Sequence, residues 1–112
     1  MQMNKYQKEA SKTAIYPKEY KVYYPTLMLC AESGELGNKI GKVMRGDGEL
    51  AMKDALWKNR EDYKKELGDV LWYLSQLATD MGYDLNDIAK LNIKKLRDRQ
   101  KRNKIKGTGD ER

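Results

Sequence analysis

Two stretches of this chain, Pro25 to Met44 and Tyr63 to Met81, carry apolar residues at helical spacing, and each also carries two acids three residues apart. Acids set within an apolar stripe constrain a fold strongly, because something must neutralise them. At about 100° per residue, Leu29, Ile40 and Val43 lie within about 40° of Leu36, with Glu32 at about −40° and Glu35 at about −100°. With Val70 as zero, Tyr63, Leu74, Leu77 and Met81 lie within about 40°, and Glu66 and Asp69 again fall at about −40° and −100°. Each helix therefore directs one carboxylate into its packing face and holds the other at the rim.

Burying an ionised, unpaired carboxylate costs on the order of several kcal/mol. Four carboxylates converging from two antiparallel helices form an all-oxygen site that suits a hard divalent cation, Mg²⁺, with Mn²⁺ as an alternative. Two blander readings compete. The acids could be solvated and paired with Lys39, Lys42, Lys64 or Lys65, or the inner glutamates could be protonated and neutral, which would leave them seeking hydrogen-bond partners among aliphatic neighbours.

The rest of the chain fits an all-α class. Charged residues make up 36% and hydrophobic residues 39%, with no Phe, a balance suited to amphipathic helices packing one stripe each. At 112 residues, the whole of 1–112 reads as one domain. A first helix is expected from Met3 to about Ile15, ending before Pro17. A loop then leads to Tyr24, and Pro25 opens the second helix, which Gly46-Asp47-Gly48 stops. Ala51 to Trp57 is a weak stretch, and the third helix ends at Gly82. Asp84 and Asp87 open a fourth, with Leu85, Ile88, Leu91 and Leu96 apolar, fraying near Asn103. Composition alone makes Ile105 to Arg112 a disordered end.

Composition also excludes classes of chemistry. Histidine is absent, so imidazole bases, histidine metal ligands and Ser-His triads are ruled out, and hydrolysis must use carboxylates or a metal. The single cysteine, Cys30, and the lack of a long apolar segment point to a reducing cytoplasm and no membrane association. The net charge of +6 is concentrated late: from Lys90 to Lys106 nine Lys or Arg face one acid, Asp98, which predicts a phosphate-bearing partner. A non-enzymatic, basic helical nucleic-acid-binding module is the alternative function, although it leaves the acid pairs unexplained.

The run Ala31-Glu32-Ser33-Gly34-Glu35-Leu36-Gly37, followed by Lys65-Glu66-Leu67-Gly68-Asp69-Val70-Leu71-Trp72-Tyr73-Leu74, resembles the MazG-like nucleoside triphosphate pyrophosphohydrolases and matches their paired motif, ExxE then ExxD. The likeness continues through Asn92, Lys95, Leu96, Asp98, Arg99 and Arg102 to Lys106-Gly107-Thr108-Gly109-Asp110-Glu111-Arg112. Ala51 to Arg60 is extra material between the motifs, with Trp57 at an unassigned place near the pocket, and Asn103 stands where relatives often have Gly.

The resemblance implies a four-helix, MazG-like bundle completed by dimerisation, as a homodimer or homotetramer. It also implies Mg²⁺ held by Glu32, Glu35, Glu66 and Asp69, and cleavage of a (d)NTP to (d)NMP and pyrophosphate. No stable nucleic-acid partner is expected. In the expected mechanism Mg²⁺ bridges the phosphates to the four carboxylates, and Glu32 or Glu35 orients the water attacking the α-phosphorus. Lys39, Tyr73, Asn92, Lys95, Arg99, Asp110 and Arg112 are assigned to substrate. Asn92 falls in an apolar series and so reads as a partly buried amide, with Lys95 and Arg99 on successive turns beyond it. Tyr73, at about −60° from Val70, lies between the two acids of its motif, whereas Trp72, at about 160°, should point away and pack elsewhere. Gly34, Gly37 and Gly41 share the opposite face of the second helix, where a close helix approach across subunits would offset their low helix propensity. The tail 106–112 is expected to close over bound nucleotide, reaching another subunit's site.

Overall fold

The computed structural model describes residues 2–48 and 50–112. Its helices are α1 (Met3–Ser11), α2 (Tyr23–Arg45), α3 (Met52–Lys58), α4 (Arg60–Asp80) and α5 (Leu85–Lys101), with a 3₁₀ turn at Lys18–Tyr20 and no strand among the described residues. The frame is the long antiparallel pair α2 and α4. The start of α2 meets the end of α4 where the Val22 N–H donates to Asp80, and late α2 meets early α4 where Lys39 pairs with Asp62 and Glu66. α1 packs on α4 and α5, and the short α3 bridges α2 and α4 at one end.

The all-α class is borne out, with five helices where periodicity predicts four. The additional one is α3, formed by the weak stretch after Ala51. Seven residues are too few to show a periodic stripe, and this helix is held by burial of Ala55 against its neighbours rather than by pattern. Trp57 lies away from the acids, 70% exposed, with the Arg60 guanidinium 4.1 Å from its ring centroid. α1 stops at Ser11, short of the expected Ile15. The hydroxyls of Ser11 and Thr13 take the carbonyls of Lys8 and Ala10, competing with the helical ladder. Pro25 sits in the first turn of α2, where a missing N–H leaves no bond unmade.

Three helices end alike. After α2, α4 and α5 a residue with positive φ (Gly46 at 91°, Gly82 at 78°, Asn103 at 57°) turns the chain left-handed. In each, the next N–H reaches back to a carbonyl five residues earlier: Asp47 to Lys42, Tyr83 to Ala78, Lys104 to Arg99. Asn103 tolerates this conformation better than any other non-glycine residue, which explains its place where relatives often have Gly.

The opening of α5 depends on α1. Its first three N–H groups are satisfied by side chains: Leu85 by Gln7 Oε1 at 2.9 Å, Asn86 by Asn4 Oδ1 at 2.9 Å, and Asp87 by Asp84 Oδ1 at 2.7 Å. Buried Gln7 also donates to Thr79 Oγ1 and to the Tyr83 carbonyl, so one amide ties three elements together.

The segment Ile105 to Arg112 is not the disordered end that composition suggests. Arg112 folds back to donate to the carbonyls of Lys104, Ile105 and Gly109, and its own carbonyl accepts from Arg102. Gly107, at φ 120°, lets Arg112 pass, since a Cβ there would stand 3.2 Å from Arg112 Cδ. The pattern along the chain shows only the two glycines and not that one arginine can supply donors to three loop carbonyls.

Replacing Gln7 with Leu removes both ends of a buried amide and strands the Leu85 N–H and Tyr83 carbonyl. Urea denaturation should show a loss of about 2–3 kcal/mol, the scale of unsatisfied buried polar groups.

Candidate metal centre and substrate cleft

The facing stripes of α2 and α4 bring the acids together. Glu32, Glu35 and Glu66 each offer a carboxylate oxygen, and these lie within 4.8 Å of one another. Glu32 and Glu66 are half-buried while Glu35 and Asp69 are exposed, the division that the helical angles predict. Asp69 stands beside this trio rather than within it. Together with Glu32 it lines a cleft of about 440 Å³, whose other walls are Thr13, Trp72 and Tyr73.

The electrostatics of this cluster are unbalanced. Lys39 Nζ, from α2, bridges to Asp62 and Glu66 Oε1, each at 2.9 Å, and these contacts raise its pKa. One lysine is thus the neutralising partner that the bland reading required, but it serves only one oxygen of the inner glutamates. Glu66 Oε2 is buried without a hydrogen-bond partner. Glu32 has its pKa raised by burial first, then by the charge of Glu35 and a hydrogen bond to it, then by Asp69 and Glu66. A bare buried carboxylate oxygen beside a second carboxyl crowded by like charges is the donor set a hard cation fits, since the cation would offset that repulsion and engage the bare oxygen.

A second cleft of about 640 Å³ adjoins the first and shares Thr13, Trp72 and Tyr73 with it. It is aromatic. Tyr16 stacks on Tyr24 at 4.9 Å, Tyr24 meets Tyr73 edge-on at 6.1 Å, and Trp72 meets Tyr73 edge-on at 5.0 Å. Tyr73 therefore lies between acids and aromatics as its helical angle predicts. Its hydroxyl pKa is pushed up to about 12, chiefly by burial, then by Tyr24, Glu32 and Asp69.

Trp72 does not point away. Its indole N–H donates to Thr13 Oγ1 at 2.8 Å and its ring walls both clefts. The angular reckoning already put it about 60° from Asp69; what the sequence lacked was α1, whose packing on that side of α4 converts an outward face into an inner wall. Thr13, Tyr16 and Tyr24 were missed for the same reason: they precede the acidic motifs, and only the fold carries them across to α4.

The remaining expected substrate residues gather elsewhere. Asp110 pairs with Lys95 at 3.1 Å and Arg99 at 3.3 Å, and Arg99 also donates to the Asp110 carbonyl. These cations hold the Asp110 carboxyl below its usual value. Asn92 is exposed, not partly buried, because α5 touches the bundle mainly through α1 and leaves its later turns free. Among the described residues no hydrogen bond or ion pair joins Lys95, Arg99, Asp110 or Arg112 to the acidic cluster.

The model of the MazG nucleotide pyrophosphohydrolase domain matches residues 25–103, a span that contains the four acids, Tyr73, Asn92, Lys95 and Arg99. The chain belongs to the MazG nucleotide pyrophosphohydrolase family. It is also similar to the Gene 37 protein of Mycobacterium phage L5, with 39% identity over 119 aligned positions spanning 100% of both chains. No solved structure gives a significant match. The MazG match begins at Pro25, so the segment from Thr13 to Tyr20 that walls the aromatic cleft lies outside it.

The raised Glu32 pKa fixes a pH dependence. A carboxyl that binds its proton more tightly folded than unfolded favours the fold below its ordinary value of 4.5, and that contribution is lost as pH rises through the raised value. Asp47 and Asp110, lowered from 3.8, act only at more acidic pH. Without divalent cation, the thermal midpoint should therefore fall as pH rises from 4.5 through the raised Glu32 value, and Glu32→Gln should flatten that slope in scanning calorimetry.

Proposed function

We propose that this MazG-family chain is a Mg²⁺-dependent nucleoside triphosphate pyrophosphohydrolase, converting a (d)NTP to (d)NMP and pyrophosphate, with Mn²⁺ as a substitute metal. One observation carries the reading: one oxygen from each of three carboxylates on two helices lies within 4.8 Å of the others, and Glu66 Oε2 is buried without a hydrogen-bond partner. Glu32, Glu35, Glu66 and Asp69 would hold the metal. When bound, Mg²⁺ screens the polyphosphate charge and polarises the phosphoryl oxygens.

The chain's own residues do the rest. Glu32 and Glu35, one turn apart on α2 with carboxylate oxygens within 4.8 Å of each other, orient the attacking water and take its proton. Lys39 fixes Glu66 and offers a positive charge at the cluster's edge to substrate. The aromatic cleft receives the base, which stacks on Tyr73 and its neighbours while Trp72 and Thr13 close the wall between base and acids. Asn92, Lys95, Arg99, Asp110 and Arg112 contribute polar and charged contacts to the phosphates and sugar. They lie on α5 and in the terminal loop that folds back on it, so they reach an acidic cluster by joining that of a second copy.

The single chain supports such an assembly. Its radius of gyration is 17.3 Å, against about 13 Å for a compact domain of this length. Leu27, Leu67 and Leu91 are more than half exposed. Among the described residues nothing stands within 4 Å of where a Cβ would lie at Gly34, Gly37 or Gly41. We propose a homodimer or homotetramer, with residues 1–112 acting as one domain in the cytoplasm. No helix among the described residues is long and apolar enough to cross a membrane. The basic surface of α5 also suits a nucleic-acid module, but that alternative gives the acidic cluster no role.

With Mg²⁺ and the common dNTPs, the products should be monophosphate and pyrophosphate; orthophosphate alone would refute the reaction. Glu66→Gln, verified as folded by circular dichroism, should lower kcat about a hundredfold or more, the scale of losing one electrostatic contact to the transition state. Sedimentation equilibrium should give at least twice the mass of 13.1 kDa, and a monomer at working concentration would remove the shared site.

A further inference from the structure

The connection between α1 and α2 hangs on one carboxylate at the far end of α4. Asp80 Oδ2 accepts both the Tyr16 hydroxyl at 2.6 Å and the Val22 N–H at 3.0 Å, and Oδ1 accepts from Gln76 Nε2 at 3.3 Å. Asp80 takes part in no ion pair among the described residues, so its charge is spent on the connection alone.

What it holds is strained. Val22 sits at φ 69° and ψ −52°, and the Tyr23 N–H bonds to the Lys21 carbonyl at 2.8 Å across it. This is a γ-turn with positive φ, which a β-branched residue adopts only where its surroundings enforce it. The same connection carries Tyr16, Pro17 and Tyr20, the outer wall of the aromatic cleft. Asp80 lines neither cleft. The wall it fixes lies outside the span shared with the family model, whereas the acids lie inside it.

We propose that Asp80 is a positioning residue for nucleobase recognition: it clamps the strained Val22 turn so that Tyr16 and Tyr20 complete a preformed stacking cleft for the base. This rests on assigning the base to the aromatic cleft. Remove the acceptor and Val22 relaxes to negative φ, carrying the tyrosines away from Tyr24 and Tyr73. An amide at position 80 preserves the clamp, because its oxygen still accepts both bonds, while its NH₂ can donate to Gln76 Oε1 once the Gln76 amide turns over, an oxygen now without a partner.

The test compares Asp80→Ala, Asp80→Asn and Asp80→Ala/Val22→Gly with wild type. Binding of a dNTP and of inorganic tripolyphosphate is measured by equilibrium dialysis without divalent cation, and kcat and KM with Mg²⁺. Asp80→Ala should weaken dNTP binding and raise KM about five- to tenfold, with kcat within about twofold and tripolyphosphate binding unchanged. Asp80→Asn should stay near wild type, and Gly at 22, free of the φ penalty, should recover part of the loss. The Val22 amide should exchange with deuterium faster in Asp80→Ala and not in Asp80→Asn. Equal loss of tripolyphosphate and dNTP binding, or unchanged dNTP binding with a freed Val22 amide, overturns the proposal. Should Asp80→Ala fail to fold, Tyr16→Phe removes one of the two bonds and must shift dNTP binding in the same sense. If wild type releases no pyrophosphate, the reaction fails as a reading, while dialysis still decides the clamp.

Discussion

The negative charge held between α2 and α4 governs this molecule. Two glutamates enter the packing face of the central helix pair, and a single lysine answers them, leaving one carboxylate oxygen bare and the pKa of the other carboxyl raised by burial and by its acidic neighbours. A packed interface does not keep such groups for stability, since well-packed aliphatic residues in their place would cost nothing in desolvation. The deficit is the functional feature. On the proposed reading a cation would repair it, and an anionic substrate that brings or shares that cation would be drawn to the same place.

Around this deficit the chain arranges two surfaces of different kinds. The aromatic cleft is built within one chain, from α2, α4 and the connection that α1 sends across them, and it opens beside the acids through Trp72, Tyr73 and Thr13. The basic surface of late α5 and the terminal loop is built separately, with Asp110 bridging Lys95 and Arg99. Polyphosphate chemistry calls for acids, metal and cations together. The assembly proposed above would bring them together, and the exposed leucines and open shape are the features that support it.

The local signals proved readable where they depended on neighbours along the chain. Helical periodicity gave the division of Glu32 and Glu66 from Glu35 and Asp69, because the angle between residues three apart is a property of the helix itself. Helix ends were readable at Gly46 and Gly82, and the odd Asn103 became intelligible once its left-handed φ was seen. Periodicity failed at α3, too short to display a stripe, and at the tail, where Arg112 organises carbonyls that composition treats as free.

By itself, then, the sequence determined the all-helical class, the two matched acid pairs and the family to which they belong, since each is written in spacing within a single helix. Only the tertiary structure decided which residues face those acids. Trp72 became a wall because α1 crosses it, Asn92 lay exposed because α5 departs from the bundle, and Asp80 acquired its task because Val22 and Tyr16, some 60 positions away, are brought to it. Contacts of that range depend on how helices dock, which the pattern along any one helix does not encode.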